Sequence, residues 1–240
     1  MCIRDRPWLW WGGLATLVMA TLGVLSARDL RMQISYFMLI SIGTLLCGLG
    51  MEGTASRGAM LFYMLHTSLI NGGLFLLTDM IADQRGKVGT RIVRSRKFKY
   101  ATLLSALYMI GAVSSAGLPP LSGALAKAWL MSTATLSEGL WLWPLLLLSG
   151  LAGVVAASRA GSTVFWRHNN GDPVGESLSR SKLAGTVVLL SAAPLLVILA
   201  GPIGGYTQAT AEQITDTVQY RSAVLGNVTA VTSGASVDAD

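Results

Sequence analysis

One lysine inside an apolar stretch is the residue that most demands a chemical explanation. From Tyr100 to Ala126 the chain carries no charge, and Lys127 then appears with no acid beside it. Within that stretch lies Gly117-Leu118-Pro119-Pro120, followed by Ser122 and Gly123. Each proline lacks an N–H, and its ring clashes with the preceding turn, so a helix cannot run smoothly through. The pattern predicts two half-helices with a break between Gly117 and Ser122. In hydrocarbon, irregular backbone is tolerated only against protein or water. An ammonium there is costly unless it faces a cavity or a partner. Two such costs in one segment predict a functional helix, because ionisable residues inside a membrane are functional candidates by default. The competing reading is a kinked structural helix that ends where Lys127 reaches the headgroups.

His66 is the second candidate. It sits in an apolar run with Thr67, Ser68 and Asn71 close by. Imidazole exchanges protons through either ring nitrogen near physiological pH, which suits a relay or gate. The bland reading is a neutral histidine bonded to a hydroxyl or a backbone carbonyl. Gly72-Gly73 would let another helix approach closely. No metal or cofactor chemistry is visible. Cys2 and Cys47 have no metal spacing, and Cys47 reads as a small core residue. There is no glycine-rich phosphate loop and no cysteine cluster, so neither cofactor nor metal is expected.

The elements that must hold these residues are transmembrane helices. Of the 240 residues, 52% are hydrophobic and only 12% charged, about half the usual charge of a soluble domain. Mean hydropathy is +0.56. The expected class is an all-α membrane protein with about six spans, near 8–27, 32–51, 58–80, 100–132, 139–158 and 183–203. The fourth is the broken one. Residues 1–206 would form this helical domain. The apolar run from Pro7 is long for a signal-peptide core, so the first helix is expected to stay. Residues 207–240, poor in large apolar side chains, read as a polar disordered tail with at most a short helix near Ala211 to Tyr220.

Charge placement gives the orientation. The net charge is +6, and its distribution across a membrane matters more than nucleic-acid affinity, for which no motif is present. Arg85, Lys87, Arg91, Arg94, Arg96, Lys97 and Lys99 crowd one loop without an acid. With six spans, this loop shares a side with 28–31 and 159–182, which hold most of the other basic residues. The positive-inside rule places that side in the cytoplasm and both termini outside it.

The residues now described resemble a known family. Gly-Leu-Pro-Pro-Leu-Ser-Gly at 117–123, followed by Lys127, is similar to the broken helix of the antiporter-like, proton-translocating membrane subunits. These are large subunits of multisubunit cation/proton antiporters and their relatives in the respiratory NADH:quinone oxidoreductase. Ile-Ser-Tyr-Phe-Met-Leu-Ile-Ser-Ile-Gly at 34–43 resembles the helix before that family's histidine helix, and Tyr63-Met64-Leu65-His66 the histidine helix itself. The likeness covers roughly Gly12 to Trp166.

The resemblance implies inverted helical repeats, of which this chain looks like the second repeat and a final helix. A first-repeat glutamate and its partner lysine would then lie in a missing N-terminal half. The family's proton-carrying lysine matches Lys127, and its shuttle or gate histidine matches His66. Asn71 stands where many members carry lysine. The implied function is a proton half-channel in a multisubunit Na+/H+ antiporter of the bacterial inner membrane. Its implied partners are the other subunits, the lipid bilayer, protons and a monovalent cation. The resemblance leaves two alternatives: a subunit of NADH:quinone oxidoreductase, the only case that would make it part of an enzyme, and a nonconducting structural fragment or half of a split subunit.

Overall fold

The computed structural model describes residues 6–174 and 178–216, the side chains of 168–174 excepted. Its helices are α1 (Arg6–Ser26), α2 (Leu30–Gly50), α3 (Thr54–Arg85), α4 (Ala101–Ala116), α5 (Ser122–Ser132), α6 (Leu136–Gly161), α7 (Arg180–Ile198) and α8 (Ala200–Thr215). Five of them, α1, α2, α3, α6 and α7, are long and apolar enough to cross a membrane. The expected broken span is the α4–α5 pair, whose 16 and 11 residues are separated at the prolines.

α1 and α2 form a tight antiparallel hairpin. A Cβ on Gly13 would lie 2.7 Å from the Cys47 nitrogen, and one on Gly43 would lie 2.9 Å from the Leu17 nitrogen. Lipid tails are as apolar as leucine, so such close backbone packing, rather than escape from water, drives association here. Cys47 is fully buried in this contact, the small core residue its sequence context suggests. α3, 32 residues long, is the central rod. It packs against α2, α4, α5, α7 and α8, while α6 closes the bundle against α1 and α4.

Several boundaries differ from the sequence reading. Glu138, expected in a loop, lies in the first turn of α6, where its carboxylate accepts from the Thr135 N–H and hydroxyl in a capping box. The last span, expected to end near 203, instead gives way to α8. Residues 207–215 are therefore helix, which begins well before the short helix expected near Ala211. Pro202 is tolerated because it falls in the first turn, where no intrahelical N–H bond is due. Gly204 lets α8 lie against the Trp129 ring. Residues 217–240 of the expected tail lie outside the described residues.

The basic loops gather at one end of the bundle. Asp29 caps α2 through the Arg31 N–H (2.8 Å) and also accepts from the Thr90 hydroxyl (2.8 Å). Arg31 and Lys182 share Asp79, and Lys182 also reaches Asp83. Two short strands, β1 (Ser95–Phe98) and β2 (His168–Val174), pair in parallel between loops expected to be irregular. At the opposite end Arg6 meets Glu52, and Arg57 donates to the Thr215 hydroxyl.

Arg85 is the organiser of the basic loop. Its guanidinium donates to the Gly89, Arg91 and Val93 carbonyls at 2.9, 2.7 and 2.7 Å, and to the Ser95 hydroxyl at 3.2 Å. A planar five-donor fork suits this task, and a lysine ammonium does not. Arg85→Lys is expected to loosen the loop while leaving the helices intact. Bonds from a charged donor contribute about 1.5–3 kcal/mol each. Losing even one net bond makes local opening about tenfold more frequent. Tryptic cleavage after Lys87, Arg91 or Arg94 should rise by that factor in the purified protein. Unchanged cleavage would show that the loop does not depend on Arg85.

Candidate functional site

The break occurs where the sequence places it. α4 ends at Gly117, whose φ of 84° and ψ of 43° put it in the left-handed region that glycine enters at little cost. The chain passes through Leu118, Pro119 and Pro120, with a cis Pro119–Pro120 peptide, and α5 begins at Ser122. The half-helices lie close together. A Cβ on Gly123 would sit 1.9 Å from the Ser114 carbonyl oxygen. Gly117 and Gly123 are thus required for different reasons, one for backbone conformation and one for contact.

Lys127 lies inside the bundle with 6% of its surface exposed. It does not extend toward headgroups. From α5 it turns back to the end of α4, where its ammonium donates to the Ala116 carbonyl at 2.9 Å and the Ser115 carbonyl at 3.3 Å. These carbonyls have no partner further along α4, because the helix stops there. Lys127 forms no ion pair among the described residues. The break therefore creates the acceptors that hold the amine.

His66 comes from α3 and is 2% exposed. Its Nδ1 lies 2.8 Å from the Ser122 hydroxyl at the start of α5. Its Nε2 would be 3.1 Å from a Cβ on Gly123. The imidazole thus meets the N-terminal end of α5, and the lysine meets the C-terminal end of α4. The Tyr63 ring lies tilted beside the imidazole, centroids 5.9 Å apart, and its hydroxyl donates to the Ser41 hydroxyl.

Not all expected polar residues join this group. Thr67, Ser68 and Asn71 line a separate notch between α2 and α3, together with Ser41. Asn71 donates to the Thr67 hydroxyl at 2.9 Å. The Ser68 hydroxyl is spent on the Met64 carbonyl of its own helix, and the residue is exposed. It does not orient anything at Lys127. The helical period explains this, because position 68 is turned well away from 66.

Two residues at the site were missed by the sequence reading. Ser114 and Ser115 immediately precede the break, and both hydroxyls are buried without a partner. A buried hydroxyl without a bond costs about 1–3 kcal/mol, and ordered water is the usual remedy. Their position next to the Gly-Leu-Pro-Pro run was the available signal. Gln33 of α2 belongs with them. Its side-chain oxygen accepts from Tyr108, whereas its amide nitrogen has no partner. Polar atoms in want of water thus occur on the α4 side both at the break and nearer the basic end. The group combines a buried amine, an imidazole and unfilled hydroxyls, which is a set able to hold water and pass protons.

Comparison with known proteins gives a consistent picture. The chain is 29% identical to the D-type subunit of a probable K(+)/H(+) antiporter of Rhizobium meliloti (strain 1021), over 92% of this chain and 46% of that protein. It is 28% identical to the D-type subunit of an Na(+)/H(+) antiporter of Alkalihalophilus pseudofirmus, over 88% of this chain and 43% of that protein. The chain therefore spans just under half the length of these relatives. A chain in the structure of the Mrp complex from Dietzia sp. DQ12-45-1b shares its fold, with a TM-score of 0.78 at 21% identity, covering 92% of this chain and 50% of that one. The family model described as "NADH:quinone oxidoreductase/Mrp antiporter, TM" matches residues 4–152, which include the histidine helix, the break and Lys127. This multi-pass membrane protein therefore belongs to the NADH:quinone oxidoreductase/Mrp antiporter transmembrane family.

Proposed function

We propose that this chain contributes a proton half-channel to a multisubunit monovalent cation/proton antiporter in a bacterial cytoplasmic membrane. Lys127 is the proton carrier and His66 the shuttle or gate. One observation carries the proposal: a buried ammonium without an ion pair among the described residues is held by carbonyls that exist only because a helix is broken. Such an amine can lose its proton without leaving a bare counter-charge. Water on Ser114 and Ser115 would receive or supply that proton, and the His66–Ser122 pair lies across the same break. The basic end faces the cytoplasm in this reading. A partner supplies the first repeat and the second access route, whether as a further part of the same polypeptide or as a separate chain.

The antiporter names of the two relatives favour this reading over a respiratory one. The family description covers both, and the same amine would serve either. Purification of the native complex separates them, because soluble flavin or iron–sulfur partners would favour the respiratory alternative. The direct test is cation-driven proton flux in everted vesicles carrying the assembled complex with Lys127→Ala. Wild-type flux from that complex overturns the proposal. His66→Gln keeps an amide that can bond to Ser122 but cannot cycle a proton. It is expected to slow coupled flux by about tenfold to a hundredfold, within the usual range for a proton-transfer group. Full activity of this variant would reduce His66 to packing.

A further inference from the structure

A feature outside the proton route lies on the α6 side of the break. A cavity of about 770 Å3 opens between the end of α4, α5 and α6. Its lining is largely apolar and includes Leu118, Ala128, Met131, Leu147, Leu151 and Val154. Lys127 also lines it, but the amine is taken by the Ser115 and Ala116 carbonyls. Water gains little from such walls.

From the cavity, α4 and α6 remain in contact up to the basic end. Ala116 lies against Gly150 and Gly153, and Met109 adjoins Gly161. Phe98 meets Phe165 with the rings inclined at 58° and their centroids 5.9 Å apart. Exposed Lys97 and Lys99 flank Phe98 in sequence, and Trp166, 66% exposed, and exposed Arg167 follow Phe165, so all four belong to this end of the seam. None of the three cations forms an ion pair among the described residues. Basic pockets between spans, with an aromatic at headgroup level, suit anionic lipid. The lengths also agree. The 16 residues of α4 rise about 24 Å, and one leaflet with its headgroups is about 20–22 Å thick.

We propose that the α4–α6 seam binds one anionic phospholipid, with its phosphate at Lys97, Lys99 and Arg167 and one acyl chain ending in the cavity beside Lys127. The chain seals the lipid side of the lysine chamber, so water reaches the amine only through the polar groups of the break. This assignment does not require Lys127 to carry a proton.

The test uses the full chain in phosphatidylcholine vesicles doped with phosphatidylglycerol brominated along one acyl chain. Bromine near the chain's end is read by a tryptophan introduced as Leu151→Trp, at a position that lines the cavity and lies about 24 Å along the α6 span from Arg167. Brominated phosphatidylglycerol should quench several-fold more than equally brominated phosphatidylcholine. The protein without Leu151→Trp should lack that difference, and so should Leu151→Trp combined with Lys97→Gln, Lys99→Gln and Arg167→Gln. Equal quenching by the two lipids overturns the proposal, as does a preference that survives the triple variant. Cross-linking of a Met109→Cys variant to a helix of another subunit in the native complex also overturns it, since protein would then cover the seam. Wild-type flux with Lys127→Ala would refute the proton reading while leaving the lipid result intact.

Discussion

Lys127→Ala is expected to reduce coupled cation/proton flux by about a hundredfold or more, the scale on which a proton-transfer group acts. The assembled complex should nevertheless form. The reason lies in what the amine touches. It contributes two hydrogen bonds to carbonyls at the end of α4 and no ion pair among the described residues. Its removal therefore strands no buried acid, which is what makes the loss of one partner of an ion pair so damaging. Lys127→Met separates packing from charge, because it retains an unbranched apolar stem of similar reach. Both variants should copurify with their partners and both should fail in transport. Lys127→Arg should fail as well, since a guanidinium does not release its proton in a protein. Transport by the arginine variant would mean that a fixed positive charge suffices, and the proton-carrier role would be lost.

The second large effect is structural. Gly123→Ala places a Cβ 1.9 Å from the Ser114 carbonyl oxygen and 3.0 Å from its carbon. Both are backbone atoms, so no side chain can swing aside. The two half-helices must separate, pulling Ser122 from His66 and Lys127 from its carbonyls. Overpacking of a rigid contact costs about 1–3 kcal/mol, occasionally more, and this case lies at the upper end. The expected outcome is loss of the chain from the assembled complex, read as its amount after detergent extraction and size-exclusion chromatography. Gly72→Ala is the control, because its nearest neighbour would be Leu189 at 3.6 Å, an ordinary contact. Equal assembly of the two variants would show that the half-helices are not held as closely as the structure places them.

The legible parts of this chain were those governed by a local rule. Long apolar runs gave the helices, and the glycine and prolines gave the break. Lys127 could be picked out because an isolated charge is rare in such a run. The geometry that gives it meaning was not legible. Nothing local states that its side chain folds back onto α4 rather than reaching outward, because that depends on how two half-helices stack. Ser114 and Ser115 were passed over for the same reason. A hydroxyl in a transmembrane helix ordinarily bonds to its own backbone, as Ser68 does, and only the tertiary setting leaves these two unfilled. The start of α8 was hidden by its glycines and proline, which usually end a helix but here serve its first turn and its approach to Trp129. The strand pairing joins loops far apart in sequence, so no local pattern announces it.

α3 has a mechanical consequence. Its 32 unbroken residues form a rod about 48 Å long. Arg85 clamps the basic loop to one tip, and Arg57 fastens the other to the end of α8. His66 is mounted partway along. The imidazole is thus carried on the same unbroken element as the loop clamp. A partner seated at the surface would thereby have a handle on the membrane interior without entering it.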